Sequence, residues 1–425
     1  MKSRVAITGI GMISPYGVGR DIAWDNLIKG NICYRHLDFL HESGSPVTIG
    51  GYLDNFNPEQ FIKNRKLLKL MSREAQLASV AAIYALEDSG ITPEEIPPER
   101  FGIYLGTGLT TGELTELAPI IENSLIDGKI NLKAFGEKAL CKCSPLLSFK
   151  ILTNMPVCYI SILLNLKGPN MVFNPWSGQV AQSIGEAFRE IQNGYLDYAL
   201  AGGVDSKINP ISLTTLSSLE IINKNTLTSS PFGSNGKGVV VSEGGALIIL
   251  ENMELAMKRG ARIYAELIGY GQATDYESLR MYPTASHILR RCMESALLDA
   301  EISGEDIDYI NTSANSHPVA DKAEAESLRE LFPYSWGSGK SPLINPTKAM
   351  TGDFIAGSSS FEFALSAMVL KEQMAPPTVN LKSIERKYGF KYTPEQATKG
   401  KINIAMTNSF EMGTTKVSFI IRRFL

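Results

Sequence analysis

The sequence predicts an α/β protein made of two related halves, and three observations support this. Short apolar segments typical of strands alternate with amphipathic segments typical of helices, which indicates a layered sheet covered by helices. The helix end and turn at residues 85–96 reappear without gaps at residues 296–307. Both copies follow a glycine-containing strand and precede an apolar strand. Such self-similarity indicates a duplicated α/β unit.

In the first half, residues 5–11 predict a strand that ends in glycines, and residues 101–105 predict the apolar strand after the helix. Residues 178–191 have helical spacing, with Val180, Ile184, Ala187 and Ile191 on one side. Residues 198–203 predict a buried strand. Two further strands are expected at 239–241 and 246–250, separated by the glycine pair after Glu243.

The second half repeats this order from a strand at residues 264–271, which also ends in glycines. A strand is expected at 309–311 and a buried helix at 360–370. We therefore divide the chain into halves of 1–255 and 256–425.

Composition excludes several function classes. The 425 residues are 44% hydrophobic and 20% charged with a net charge of −3, which gives no electrostatic case for nucleic acid or a membrane surface. The longest apolar run, 155–164, is far shorter than the roughly 18 residues that span a bilayer. Glycines and Pro15 interrupt the apolar N-terminal stretch, so no signal peptide is expected and the location is predicted to be cytoplasmic.

No metal or cofactor is expected. The five cysteines are irregularly spaced, and the pair Cys141 and Cys143 lacks the second pair that a zinc site needs. The segment Gly9-Ile-Gly11 lacks the third glycine and the following helix of a dinucleotide fingerprint, so it is interpreted as a tight strand-to-loop turn.

Six ordered segments, at residues 5–17, 168–203, 243–251, 321–325, 346–352 and 408–410, carry a resemblance to a known family. Together they resemble the elongating β-ketoacyl-acyl-carrier-protein synthases, over residues 3–423. The resemblance implies the thiolase fold, with two βαβαβαββ halves in five αβαβα layers.

The chain departs from this family at the three positions that the resemblance makes catalytic. Ser177 stands where the family has its nucleophilic cysteine, and a serine hydroxyl is a far weaker nucleophile without a base. Ser313 and Asp353 replace the two histidines that stabilise developing negative charge. A carboxylate at such a position repels an oxyanion. The chain is therefore expected to be inactive by itself.

The pocket is also expected to differ. Trp176 occupies a position where the family has a small residue, and its indole would take the space of an acyl thioester. In the gating loop, Phe410 is followed by Glu411 and Met412 in place of glycine and phenylalanine. Lys348 is retained, and a structural ion pair and a functional role both remain open for it.

This pattern resembles a chain-length factor, the silent partner of a type II polyketide ketosynthase. The resemblance implies a heterodimer with an active ketosynthase, pairing near residues 171–174, and a tunnel that limits chain length on acyl carrier protein. The candidate tunnel residues are Thr111, Leu114, Leu117, Leu146, Leu147, Phe149 and Trp176, with plain core as the alternative for each. The basic run 63–69 would suit an acidic carrier, or would be a solvated helix face.

Two other functions remain open. A serine-dependent acyltransferase or esterase would use Ser177 as nucleophile, His317 as base and Asp353 as the orienting acid. A homodimeric malonyl-carrier decarboxylase is the third hypothesis, although the absence of both histidines argues against it.

Overall fold

The computed structural model describes residues 2–110, 112–224, 226–233, 236–277, 282–332, 341–380 and 388–425. The first half contains β1 (Val5–Ser14), β2 (Gly17–Val18), α1 (Arg20–Ile28), β3 (Arg35–His36), α2 (Asp38–Glu42), β4 (Ile49–Gly50), α3 (Arg65–Leu68), α4 (Arg73–Ser89), β5 (Phe101–Thr107), α5 (Leu114–Ser124), β6 (Leu125–Ile126), β7 (Lys129–Ile130), α6 (Leu132–Ala134), α7 (Leu147–Ile151), α8 (Met155–Leu164), β8 (Asn170–Phe173), α9 (Ser177–Gln192), β9 (Tyr198–Asp205), α10 (Pro210–Ser218), β10 (Gly244–Asn252) and α11 (Met253–Lys258). The second half contains β11 (Ala265–Thr274), α12 (Ser286–Asp299), β12 (Tyr309–Asn311), α13 (Pro318–Leu331), β13 (Leu343–Asn345), α14 (Lys348–Thr351), α15 (Ser358–Glu372), β14 (Met374–Ala375), β15 (Lys391–Tyr392), β16 (Thr398–Lys399), β17 (Ile404–Ser409) and β18 (Thr415–Arg423). None of the helices in these ranges is long and apolar enough to cross a membrane.

The strands lie in the order β15-β13-β12-β17-β18-β11-β1-β10-β9-β5-β8, with β2 beside β1. Reading outward from the β1–β11 pair, the first five strands have the same order in each half, and β15 adds a sixth to the second half. The main elements of the first half run β1, α4, β5, α8, β8, α9, β9, β10, and those of the second run β11, α12, β12, α13, β13, α15, β17, β18. The predicted pair of βαβαβαββ halves is therefore confirmed.

The two halves pack as five layers. Helices α9 and α15 lie in the middle, and each contacts strands of both halves. They hold the largest apolar cluster, which contains Ile184, Phe188, Phe361 and Phe363. Helices α4 and α8 cover one outer face, and α12 and α13 cover the other. The predicted thiolase-like layering is therefore confirmed.

The duplication extends to individual hydrogen bonds. Asp88 at the end of α4 accepts a bond of 2.9 Å from the backbone N–H of Ile10, and Asp299 at the end of α12 accepts one of 3.0 Å from that of Tyr270. Both receiving strands carry a bulge just before the bonded residue, at residues 7–9 and 267–269. The repeated aspartate therefore fastens the same helix to the same strand in each half.

The predicted ends of the first strands are wrong. Gly9 and Gly11 lie inside β1, which continues to Ser14. A Cβ on Gly11 would lie 1.9 Å from the carbonyl oxygen of Ala81, because α4 crosses this strand at backbone distance. Gly271 has the same relation to α12 inside β11, with its Cβ 2.2 Å from the oxygen of Cys292. These glycines are required by close helix packing and not by a turn.

One further expectation needs correction. No regular strand forms at residues 239–241, since Val239 and Val241 make only isolated bridges, and Val241 pairs with Asp353. The division of the chain at 255/256 stays a proposal. Both residues lie in α11, which packs on β1 and β10 of the first half.

Candidate active site

Ser177 is the first residue of α9 and is only 1% exposed. Its Oγ lies 3.1 Å from Oγ of Ser409, at the end of β17. The hydroxyl of Ser409 in turn donates to Oε2 of Glu411 at 3.1 Å. The serine at the candidate nucleophile position is thus bonded into a buried chain of polar groups that leads to the segment 410–413.

Ser313 follows β12 and also bonds to that segment. Its Oγ accepts a hydrogen bond of 2.8 Å from the backbone N–H of Phe410. Its own N–H donates to Oε1 of Glu324 at 3.0 Å. An imidazole at this position could donate to a ligand, whereas this hydroxyl oxygen accepts a hydrogen bond from the protein's own backbone.

Both carboxylate oxygens of Asp353 accept hydrogen bonds. Oδ2 accepts from Nδ2 of Asn315 at 2.8 Å, and Oδ1 accepts from the N–H of Ile355 at 2.7 Å and the hydroxyl of Ser358 at 2.8 Å. Burial nevertheless raises the pKa of the carboxyl, and the nearby Glu411 adds to the increase. The group is a hydrogen-bonded structural carboxyl that, when ionised, offers no donor to an oxyanion.

Lys348 lies between two buried carboxyls. Its Nζ is 2.6 Å from both oxygens of Glu362 and 2.7 Å from Oε1 of Glu411. Burial alone would lower the pKa of this ammonium, but the two carboxyls outweigh burial and the pKa is raised. Burial raises the pKa of Glu362 to about 8 in spite of the lysine. The structural ion pair, one of the two interpretations left open for Lys348, is thus present.

The space beside Ser177 is filled by side chains. A residual cavity of about 10 Å³ is left there. The residues that line it are Trp176, Ser177, Tyr282, Asp353, Ile355, Glu411 and Met412. Trp176 lies so close to Gly413 that a Cβ on that glycine would be 2.5 Å from the indole Cδ1. One water needs roughly 10–15 Å³, so an acyl thioester has no room in this conformation.

The structure does not bring His317 to Ser177. The imidazole stacks on Tyr282 with ring centroids 3.9 Å apart, and its Nδ1 accepts from the N–H of Ala320 at 3.5 Å at the start of α13. Burial lowers its pKa. Within the described residues, the side-chain hydrogen bonds of Ser177 and Asp353 go to other partners. A Ser177–His317–Asp353 relay is therefore not formed.

Lys416 is a functional candidate that the sequence reasoning missed. It is fully buried in β18, and its Nζ donates to the carbonyl oxygens of Phe410, Glu411 and Gly413 at 3.3, 2.7 and 2.6 Å. Burial lowers its pKa to about 8. A lysine directly before the mainly apolar run 417–421 was the available signal.

The candidate tunnel residues do not form one wall within this chain. Leu114, Leu146 and Phe149 are exposed, Leu117 is half-buried and Leu147 is buried. Thr111 lies outside the described residues. The expectation of plain core is wrong for the three exposed side chains, since they face solvent in the isolated chain.

These side chains belong to a wider exposed apolar surface between residues 114 and 152, which we call the apolar lobe. Its most exposed members are Ile130 and Leu132, at 72% and 82%. Other exposed large apolar residues in the lobe are Leu114, Ile121, Leu125, Ile126, Phe135, Leu140, Leu146, Phe149, Ile151 and Leu152. Strand β8 lies at the edge of the sheet, and Met171 on it is also exposed.

Two family models match the chain. Residues 2–256 match the N-terminal domain of beta-ketoacyl synthases, and residues 264–382 match their C-terminal domain. Among curated proteins, the 3-oxoacyl-[acyl-carrier-protein] synthase 2 of Vibrio cholerae is 30% identical over 99% of both chains. The protein of that name from Staphylococcus aureus (strain COL) is 28% identical over 100% of this chain and 99% of its own.

Solved structures share the fold over the full length. The ishigamide ketosynthase/chain length factor superposes with a TM-score of 0.87 at 24% identity, covering 100% of both chains. A type II polyketide ketosynthase complex with its acyl-carrier protein, bound to the hexaketide, superposes with a TM-score of 0.81 at 23% identity and the same coverage.

Proposed function

Since this chain belongs to the beta-ketoacyl synthase family, we propose that it is a non-condensing member of the chain-length-factor type. In this role it pairs with an active ketosynthase and shapes the tunnel that holds a polyketide or polyene chain growing on acyl carrier protein. The observation that carries the proposal is the filled pocket at Ser177, where about 10 Å³ is free.

The chemistry at the three vestigial positions supports this proposal. Condensation needs a thiolate and donors for the developing oxyanion, and removing one such donor alone costs roughly 10²–10³ in rate. Among the described residues, the hydroxyl of Ser177 bonds to Ser409 and not to an imidazole, Ser313 accepts a bond from the backbone, and Asp353 has only acceptor oxygens when ionised. Both the nucleophile and the stabilising donors are therefore missing.

A partner surface is the second support. The apolar lobe leaves many large apolar side chains in solvent, and β8 has one edge that pairs with no other described strand. Exposed apolar side chains in such numbers are typical of an interface. An unpaired strand edge offers N–H and C=O groups to a second strand. We propose that an active ketosynthase covers both, and that Leu146 and Phe149 then line its acyl tunnel.

An acyl carrier protein is the proposed second partner. Lys63, Arg65, Lys66 and Lys69 are exposed at and beside α3, while Leu67 and Leu68 anchor the helix in the core. A cluster of cations attracts an acidic carrier and raises the rate of encounter. The complex of a related ketosynthase with its carrier makes such a partner plausible for this fold.

Serine-based acyl transfer is a second candidate, because one observation favours it. The chain from Ser177 through Ser409 to Glu411 could pass a proton to a carboxylate. The burial of Ser177 opposes it. An active-site serine probe decides between the two, since labelling at Ser177 that is lost on Glu411→Gln would favour the enzyme.

The proposal is tested by co-expressing the chain with a candidate ketosynthase and analysing the products. We expect co-purification, no acyl uptake from acyl carrier protein by this chain alone, and shorter products when Leu146→Phe narrows the tunnel. Leu298→Phe, at a position 81% exposed on α12, is the matched control and should leave chain length unchanged. Acylation of the isolated chain, or the same chain length for every tunnel variant, would refute the proposal.

A further inference from the structure

The segment 410–413 covers Ser177 and is held from several sides. Phe410 and Met412 are buried, at 1% and 3% exposure, so the segment contributes side chains to the apolar core. The backbone N–H of Phe410 donates to Ser313, as described above. Two buried lysines hold the rest of the segment through different groups.

Lys348 holds it through a side chain. Its ammonium lies 2.7 Å from Oε1 of Glu411, and both side chains are at most 3% exposed. This buried contact is costly to separate, because the carboxylate of Glu411 would lose the cation beside it while Lys348 kept only Glu362. Oε2 of Glu411 meanwhile accepts from Ser409, whereas Oε1 is held by the ion pair and has no hydrogen-bond partner among the described residues.

Lys416 holds it through the backbone. Its three donors point to the carbonyl oxygens of Phe410, Glu411 and Gly413. An ammonium has three N–H groups, so all of them are used on this one segment. Because the residues that carry these carbonyls lie three to six positions before Lys416, movement of the segment would break these bonds together.

We propose that Lys348 and Lys416 form a double latch that keeps residues 410–413 closed over Ser177 and shuts this chain's own pocket to acyl ligands. The latch adds to the proposed non-condensing role, because it closes the pocket whatever residue stands at position 177. Its test measures access to that position and not acyl transfer, so the latch and the proposed function can fail separately.

The experiment uses Ser177→Cys as a reporter, with alkylation by iodoacetamide followed at each cysteine by peptide mass spectrometry. Exposed Cys158 is the internal reference. The introduced thiol should react at least about 100-fold more slowly than Cys158, since it is reached only when the segment opens. Adding Lys416→Met or Glu411→Gly should speed its labelling about 10-fold or more. Lys258→Met, at an exposed lysine of α11, should change nothing.

Circular dichroism and urea unfolding check that each variant is folded. If Lys416→Met does not fold, the labelling rate of Glu411→Gly tests the latch. Labelling at position 177 as fast as at Cys158 would overturn the latch. An unchanged rate in folded latch variants would overturn it as well. An open pocket with no acyl uptake would leave the proposed function standing, whereas acyl uptake by the unmodified chain would refute that function.

Discussion

Replacing Lys348 by methionine tests the central electrostatic interaction of the filled pocket. Methionine keeps most of the length of the lysine stem but removes the ammonium, which has two carboxyl partners within 2.7 Å. The carboxyls of Glu362 and Glu411 are at most 3% exposed and are then left without a cation. Removing one partner of a buried pair typically costs about 3–5 kcal/mol.

The pH dependence sets an independent limit on this cost. Burial already raises the pKa of Glu362 to about 8, so this group takes up a proton readily. Protonating a glutamate that has lost its buried cation costs about 1.4 kcal/mol for each pH unit above an unfolded pKa of about 4.3. The limit is therefore about 5 kcal/mol at pH 8 and about 2 kcal/mol at pH 6.

The assay is urea unfolding of the purified chain, followed by circular dichroism at both pH values. Lys348→Met should lower the free energy of unfolding by about 3–5 kcal/mol at pH 8 and by about 2 kcal/mol at pH 6. Adding Glu411→Gln should restore part of the loss at pH 8, since only one of the two buried carboxyls that lose the lysine then remains. Lys322→Met is the control, because its partner Glu326 lies 3.8 Å away at the surface and such pairs contribute below about 1 kcal/mol.

A loss of less than about 1 kcal/mol at pH 8, the range of an exposed pair, would refute a stabilising role for the charge of Lys348. A loss that is the same at both pH values would also refute it, because proton uptake would then not limit the cost of removing the lysine. A double variant as unstable as the single one would show that the lysine acts through packing alone.

Two further predictions concern buried carboxyls. Burial raises the pKa of Glu362 to about 8 and of Glu324 to about 7. The native state therefore keeps protons that the unfolded chain releases above about pH 4.5. The free energy of unfolding should be greatest below that pH and fall as the pH rises to about 8. The melting temperature should therefore decrease between about pH 4.5 and pH 8, and Glu362→Gln should make this decrease smaller. A melting temperature that does not change with pH would contradict the raised pKa values of the two glutamates. Asp88→Ala and Asp299→Ala should each cost about 1–3 kcal/mol by leaving one strand N–H unpaired. The exposed Asp25→Ala should stay within about 0.5 kcal/mol, and a loss in only one half would argue against equivalent roles.

The spacing of apolar residues predicted the main helices and strands, because each of them buries one face and burial requires apolar residues at regular intervals. The strand at Tyr309–Asn311 and the helices at Ser177–Gln192 and Ser358–Glu372 lie where the apolar spacing put them. The glycine positions were misjudged for a physical reason. A glycine in a turn and a glycine under a crossing helix look alike in sequence, and only the packing of α4 and α12 distinguishes them.

The site was less predictable because its contacts join distant parts of the chain. The sequence identified Ser177, Ser313 and Asp353 as altered positions, but their hydrogen-bond partners were not visible in it. Pairing of Glu411 with Lys348 joins residues more than 60 positions apart, and the spacing carries no trace of it. The stack of His317 on Tyr282 is equally non-local. The sequence therefore showed which positions are substituted, and only the fold showed which residues bind those side chains.

The hydrogen bonds made at positions 313 and 353 set a limit on how the site could be redesigned. A histidine at position 313 would remove the acceptor of Phe410, and changing Asp353 would remove an acceptor of Asn315 and Ser358. Each single substitution therefore removes a buried hydrogen bond before it adds a catalytic group. A redesign of this site would have to replace those bonds and the new side chains together.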